Sequence, residues 1–135
     1  MEAVPLPGQI HDAMIAHARF CLPEEACGLM AVDHEGAIRM VYATTNVVRS
    51  PVRFTVSPNE HFGALRHAER QGWVIAGSFH SHPDSAAYPS ASDVAGALDP
   101  TWLYVIVGMG NGGPVLRGFR IRGSKVSEIV FWESP

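Results

Sequence analysis

Two of the seven histidines in this chain, His80 and His82, stand two residues apart at the end of an apolar run, Trp73-Val74-Ile75-Ala76-Gly77-Ser78-Phe79. Such a run reads as a buried β-strand. Side chains alternate faces along a strand, so both imidazoles project from one side and can converge on one point. Asp93 follows eleven residues after His82, across Pro83, Asp84, Ser85, Pro89 and Ser90, which are turn and cap residues. It can fold back to supply a third ligand. Two imidazoles and a carboxylate suit one Zn²⁺ ion at about 2.0 to 2.2 Å, and three protein ligands leave a fourth tetrahedral position open, the pattern of catalysis more than of structure. Ser90-Ala91-Ser92-Asp93 also fits the Ser-x-x-Asp cap of a helix start, which a metal ligand in the first turn can share.

His80-Ser81-His82-Pro83, six residues, then Ser90-Ala91-Ser92-Asp93 resembles the JAMM motif of the MPN+ metalloprotease family, His-[Ser/Thr]-His-Pro-x6-Ser-x2-Asp. Upstream, Glu25-Ala26-Cys27-Gly28-Leu29 is similar to the family's Glu-x-x-Gly-[Leu/Ile]. The resemblance covers nearly the whole chain. It implies that His80, His82 and Asp93 hold the zinc and that Glu25 is the general acid/base, reaching the attacking water without ligating the metal. Ser90 resembles the family serine whose hydroxyl supports the developing oxyanion. The implied reaction is hydrolysis of the peptide or isopeptide bond after the Gly-Gly tail of a ubiquitin-like protein, an extended tail adding as a strand to a sheet edge.

Eukaryotic deubiquitinases of this family carry two insertions, for which the 55-residue step from Glu25 to His80 leaves no room. Ala16-His17-Ala18-Arg19, Glu25-Ala26-Cys27-Gly28, Arg49-Ser50-Pro51 and Ala87-Tyr88-Pro89-Ser90 look instead like the compact prokaryotic CysO-cysteine peptidase group, which releases cysteine from a ThiS/MoaD-like sulfur carrier. That likeness implies a carrier protein as substrate and a place in cysteine biosynthesis. The alternatives are a desampylase or deubiquitinase-like isopeptidase and, from another class, a non-catalytic MPN scaffold; scaffolds typically lack the motif residues that this chain keeps. A nucleoside deaminase needs His-x-Glu and Pro-Cys-x-x-Cys. Both are absent.

The elements that must position these residues follow from patterning. Met1 to Gly8, with Pro5 and Pro7, reads as an irregular lead-in. Gln9 to Phe20 is a helix with an inward stripe of Ile10, Ala13, Met14, His17 and Cys21. Ala26 to Val32 and Ala37 to Thr45 form a hairpin across Asp33-His34-Glu35-Gly36. Val52 to Val56 is a short strand. Ser57-Pro58-Asn59-Glu60 opens a helix over 58–71 closed by Gly72. The motif strand spans Trp73 to His82, a short helix Ser92 to Leu98, and strands Trp102 to Val107, Val115 to Ile121 and Val126 to Trp132. This order predicts an α/β (α+β) fold with a mixed, mostly antiparallel sheet flanked by helices, in agreement with the MPN/JAMM-type curved sheet and its cytidine-deaminase-like layout.

At 135 residues one domain is expected. A net charge of −3 and a pI near 6.1 give no basic surface for nucleic acid or an anionic membrane. No apolar stretch approaches the ~20 residues that span a bilayer, and Met1 to Gly8 is not a signal peptide. Cytoplasmic residence with reduced Cys21 and Cys27 is expected. Cys27 reads as core, facing away from Glu25, and His11, His17, His34, His61 and His67 as surface or half-buried histidines. Tyr88-Pro89 is a candidate to shape the loop over the site. The oligomeric state stays open, a homodimer included.

Overall fold

The computed structural model describes residues 1–135 and contains ten elements in the order β1 Ala3–Pro7, α1 Gly8–Cys21, β2 Cys27–Val32, β3 Ile38–Thr44, α2 Pro58–Gln71, β4 Val74–His82, α3 Ala91–Gly96, β5 Leu103–Gly108, β6 Val115–Arg122 and β7 Lys125–Ser134. The strands form one sheet in the order β1-β7-β6-β5-β4-β2-β3. β4 pairs parallel to β5 and β1 parallel to β7; the other pairings are antiparallel.

Period-two alternation divides the work between the two faces of the sheet. Phe79, Val105 and Met30 point to one face and meet Ile10, Met14 and Ala18 of α1 in the larger core cluster. Ser78, His80 and His82 point to the other, with Ile106, Phe119 and Ile121 in a smaller cluster and α2 and α3 above them. Gly28, in the Glu-x-x-Gly element, lets these layers close. A Cβ there would collide with the Phe79 ring and the Tyr42 carbonyl.

Helix α2 begins and ends at its own punctuation. Ser57 Oγ accepts from the Glu60 N–H, Pro58 occupies the first turn, and Gly72 closes the helix at φ +78°. The capping box is incomplete, because the Glu60 carboxylate accepts from the Thr45 N–H instead.

Three expectations are corrected. Met1 to Gly8 is not an irregular lead-in: Ala3–Pro7 pairs parallel with Val130–Ser134, with Val4 and Leu6 buried. Glu2 accepts through its carbonyl from the Val130 N–H, so even positions face β7 and the odd ones, Pro5 and Pro7, face away, where a missing donor costs nothing. Val52 to Val56 is not a strand; only Val56 forms a bridge, with Asn46. In α1, Ala13 is exposed and Ile15 is buried in its place. No helix is long and apolar enough to cross a membrane.

Candidate active site

Strand β4 delivers both histidines from the interior of the sheet, between β2 and β5, where His80 lies opposite Cys27 and beside Ile106. They are buried at 6% and 7% exposure. Their Nε2 atoms lie 3.2 Å apart. Asp93 comes from the first turn of α3, held by a reciprocal cap in which Ser90 Oγ accepts from the Asp93 N–H and the Ser90 N–H donates to Asp93 Oδ2 at 2.9 Å. The two carboxylate oxygens then face the two imidazoles, Oδ1 at 3.1 Å from His80 Nε2 and Oδ2 at 3.0 Å from His82 Nε2. The cap therefore leaves the carboxylate turned to both imidazoles, an arrangement compatible with a ligand role.

The chemistry of this donor set favours a positive centre. The Ala86 carbonyl, 2.9 Å from His82 Nδ1, can only accept, so Nδ1 carries the proton and Nε2 turns a lone pair toward the carboxylate and toward His80. The His82 lone pair and the Asp93 carboxylate, 3.0 Å apart, repel unless a proton or a cation sits between them. Burial works against a charged His82, but the Asp93 hydrogen bond and the Ala86 carbonyl outweigh it and raise its pKa. Burial likewise opposes ionised Asp93, and the hydrogen bonds that His80 and His82 donate when protonated at Nε2 overcome it, holding the carboxyl far below the usual range. The spacings also suit a metal, since ligands about 2.0 to 2.1 Å from a tetrahedral ion are about 3.3 Å apart. His80, His82 and Asp93 thus form a group able to hold one ion. The Phe54 ring stacks on His80 at 4.6 Å and fixes its plane.

Glu25 precedes β2 and is clamped through its backbone. Its N–H donates to the Ser50 carbonyl at 2.8 Å and its carbonyl accepts from Asn46 Nδ2 at 3.1 Å. The next residue is pinned to the motif strand, where the Ala26 N–H donates to Ser81 Oγ at 2.8 Å and its carbonyl accepts from the Ser81 N–H at 3.0 Å. The Glu25 side chain is 5% exposed, and burial pushes its pKa up to about 7, opposed by nearby His82 and reinforced by Asp93. Together with His80 and Asp93 it lines a cleft of about 660 Å³ walled mainly by residues 52–56 on one side and the α3–β5 connection on the other.

His80, His82 and Asp93 therefore meet at one point, and Glu25 lines the same cleft. Ser90 is exposed and its hydroxyl caps α3, with Ser92 Oγ 3.2 Å away. Cys27 is core but does not face away from the site: its register opposite His80 puts it on the histidine face, its thiol against Thr44 Oγ1 at 3.4 Å. Burial raises that thiol to about 11. Tyr88 packs edge-on against Phe119, with Arg117 over its ring. Of the other histidines, His61 lines the cleft and His67 bonds the Tyr42 hydroxyl.

Sequence patterning missed Asn46. Its buried amide uses all four hydrogen-bonding positions, Nδ2 donating to the Glu25 and Arg53 carbonyls and Oδ1 accepting from the Val48 and Thr55 N–H groups. It missed the locking role of Ser81 as well. Only the middle position of His-Ser-His hinted at that role, since a polar residue there must find a buried partner.

Residues 7–122 match the family described as prokaryotic homologs of the JAB domain. Over 120 residues the chain is 37% identical to the CysO-cysteine peptidase of Mycobacterium tuberculosis, covering 87% of this chain and 82% of that one. It is 32% identical over 107 residues to the desampylase of Haloferax volcanii, covering 75% and 77%. The solution structure of DSY2949 from Desulfitobacterium hafniense matches at a TM-score of 0.84 and 36% identity, over 99% of this chain and 94% of that one.

Proposed function

The chain belongs to the prokaryotic JAB-domain members of the JAMM/MPN+ family, and on that premise we propose that it is a zinc-dependent hydrolase cutting the bond after the Gly-Gly tail of a ubiquitin-like carrier protein. The observation that carries the reading is a buried carboxyl, Glu25, held near neutral pKa in one cleft with His80 and Asp93. His80, His82 and Asp93 would hold a single zinc ion, which when bound supplies Lewis-acid polarisation of the scissile carbonyl and of water. Glu25 accepts the proton of the attacking water and passes it to the departing amine as the amide C–N bond breaks. Ser90, freed from its contact with Ser92, donates to the carbonyl oxygen as it gains charge.

β4 is interior to the sheet, and the sheet edges are β1 and β3. An extended tail therefore reaches the metal through the cleft, against Leu29, Phe54 and Ile106, rather than by extending the sheet. The leading substrate is a ThiS/MoaD-like sulfur carrier bearing one cysteine, as the name of the mycobacterial relative suggests. Residues 1–135 act as one domain in the cytoplasm, where Cys21 and Cys27 stay free.

The likeness to a desampylase favours a second reading, an isopeptidase that removes carriers from lysine side chains. Zinc-loaded protein is tested on a carrier extended by one cysteine after Gly-Gly and on a carrier–lysine conjugate, with mass spectrometry of the products. Release of cysteine by the wild type and not by Glu25→Gln, with zinc content equal in both, is expected. Undiminished hydrolysis by Glu25→Gln would remove the assigned base.

A further inference from the structure

Three carboxylates line the cleft, Glu25, Asp93 and Asp99, against one permanent cation, Arg53. None of them engages it. Asp93 faces His80 and His82, while Asp99 Oδ1 accepts from both the N–H and the hydroxyl of Thr101. Glu25 forms no ion pair. Arg39, Arg49, Arg117 and Arg120 each hold an acidic partner. The Arg53 guanidinium, like those of Arg19, Arg66, Arg70 and Arg122, has none, and of these five Arg53 is the one that lines the cleft.

Its backbone is nevertheless fixed on both sides. The Arg53 N–H donates to Ser50 Oγ at 3.2 Å, and its carbonyl accepts from Asn46 Nδ2 at 2.9 Å. That same amide group donates to the carbonyl of Glu25, and the Ser50 carbonyl accepts from the Glu25 N–H. The following residue, Phe54, stacks on His80. One frame of hydrogen bonds thus fixes the backbones of Glu25 and Arg53 together, and the Phe54 ring beside them lies on His80, so the uncommitted Arg53 side chain starts from the wall of the same cleft. A held backbone with an uncommitted cation fits an anion that arrives with the substrate.

We propose that Arg53 binds the free α-carboxylate of a single amino acid joined to the carrier's terminal glycine, so that the cleft selects carrier–amino acid adducts over lysine conjugates. This rests on the carrier-hydrolase reading and adds the leaving group's chemistry to it. Hydrolysis of such an adduct places the carboxylate one carbon from the scissile nitrogen, beside the reacting centre. A lysine side chain places no anion there. The guanidinium fork matches a carboxylate in two parallel hydrogen bonds.

The test compares a ThiS-type carrier ending in Gly-Gly-Cys as the free acid with the same carrier ending in the cysteine carboxamide. Zinc-loaded wild type should favour the acid by about tenfold or more in kcat/KM, the scale of a charged hydrogen bond. Arg53→Ala should erase that preference through KM, its fall on the acid exceeding any fall on the carboxamide by about tenfold, and Arg53→Lys should restore part of it. Equal use of both substrates by the wild type, or an equal fall on both in Arg53→Ala, overturns the proposal. Binding of the peptides Gly-Gly-Cys acid and amide to zinc-loaded Glu25→Gln decides it independently: tighter binding of the acid supports the role of Arg53, and equal binding removes it. Failure of the wild type to cut either carrier would instead sink the hydrolase reading.

Discussion

Glu25 illustrates how one side chain's surroundings set its chemistry. In water a glutamate is a weak base; burial raises it to about 7, which brings it close to the pH at which a general base is most effective. The same shift has a measurable cost in the metal-free protein. The folded pKa lies above the ordinary value of 4.5, so the folded chain keeps a proton that the unfolded chain releases. The stabilising contribution is therefore complete below about pH 4.5 and disappears as pH rises through about 7. Gln is neutral throughout, so metal-free Glu25→Gln should be more stable than the wild type at pH 8 by at most about 3 kcal/mol, with the gap closing near pH 5. Urea unfolding in chelator at both pH values measures this; a gap independent of pH contradicts it. The two cysteines give a parallel case. Cys27 is fully buried with its thiol raised to about 11, whereas Cys21 is half-buried. Iodoacetamide at pH 8 should label the native protein at Cys21 only and leave its zinc content unchanged.

Among the elements, the segment 46–56 contains no helix and no strand beyond the single bridge between Asn46 and Val56, yet it holds Glu25. Side chains replace the ladder: Asn46 and Ser50 collect the backbone groups of residues 48, 52, 53 and 55. Asn46→Ala would strand the buried donors and acceptors that this amide satisfies. We expect a loss of about 2–4 kcal/mol in stability and a fall in kcat with zinc still bound, read by denaturant unfolding alongside metal analysis. Ser81→Ala removes the acceptor of the Ala26 N–H and should cost about 1–3 kcal/mol by the same measurement. These roles explain what patterning could and could not reach. α2 and β4 were legible because periodicity, a Ser-Pro start and a Gly stop are local. So was the grouping of His80, His82 and Asp93, whose two-residue and eleven-residue spacings encode a strand end and a helix cap. β1 was hidden because prolines at 5 and 7 mimic a coil unless the neighbouring strand is known. Asn46 and Ser81 were hidden because their partners are backbone atoms far off in sequence, which leave no mark on residue type.

In the molecule as a whole, the sheet and α1 form a packed body whose larger core includes none of His80, His82 and Asp93, whereas α3 is attached through Asp93. Helix α3 has six residues and buries none of them. Its own propensity cannot sustain one and a half turns in water, and only Val94 and Ala97 pack on the smaller cluster. The remaining attachment is Asp93, through its cap and through His80 and His82. An ion held by all three side chains would therefore tie α3, one wall of the cleft, to β4. Zinc at about a hundred times its Kd should stabilise the fold by about 2.7 kcal/mol and raise Tm by about 10 °C. The rise should vanish in His80→Ala and Asp93→Ala. It should also shrink at pH 5.5, because the raised pKa of His82 lets protons compete for its ring nitrogen. Local exchange gives the sharper discrimination. On adding chelator, amide hydrogen exchange should accelerate across 90–98, while the amides of α1 and β5, packed in the larger core, keep their protection. Uniform acceleration would mean that the metal supports the whole fold. Unchanged exchange at 90–98, with the Tm rise surviving in Asp93→Ala, would place the ion at some other group of side chains.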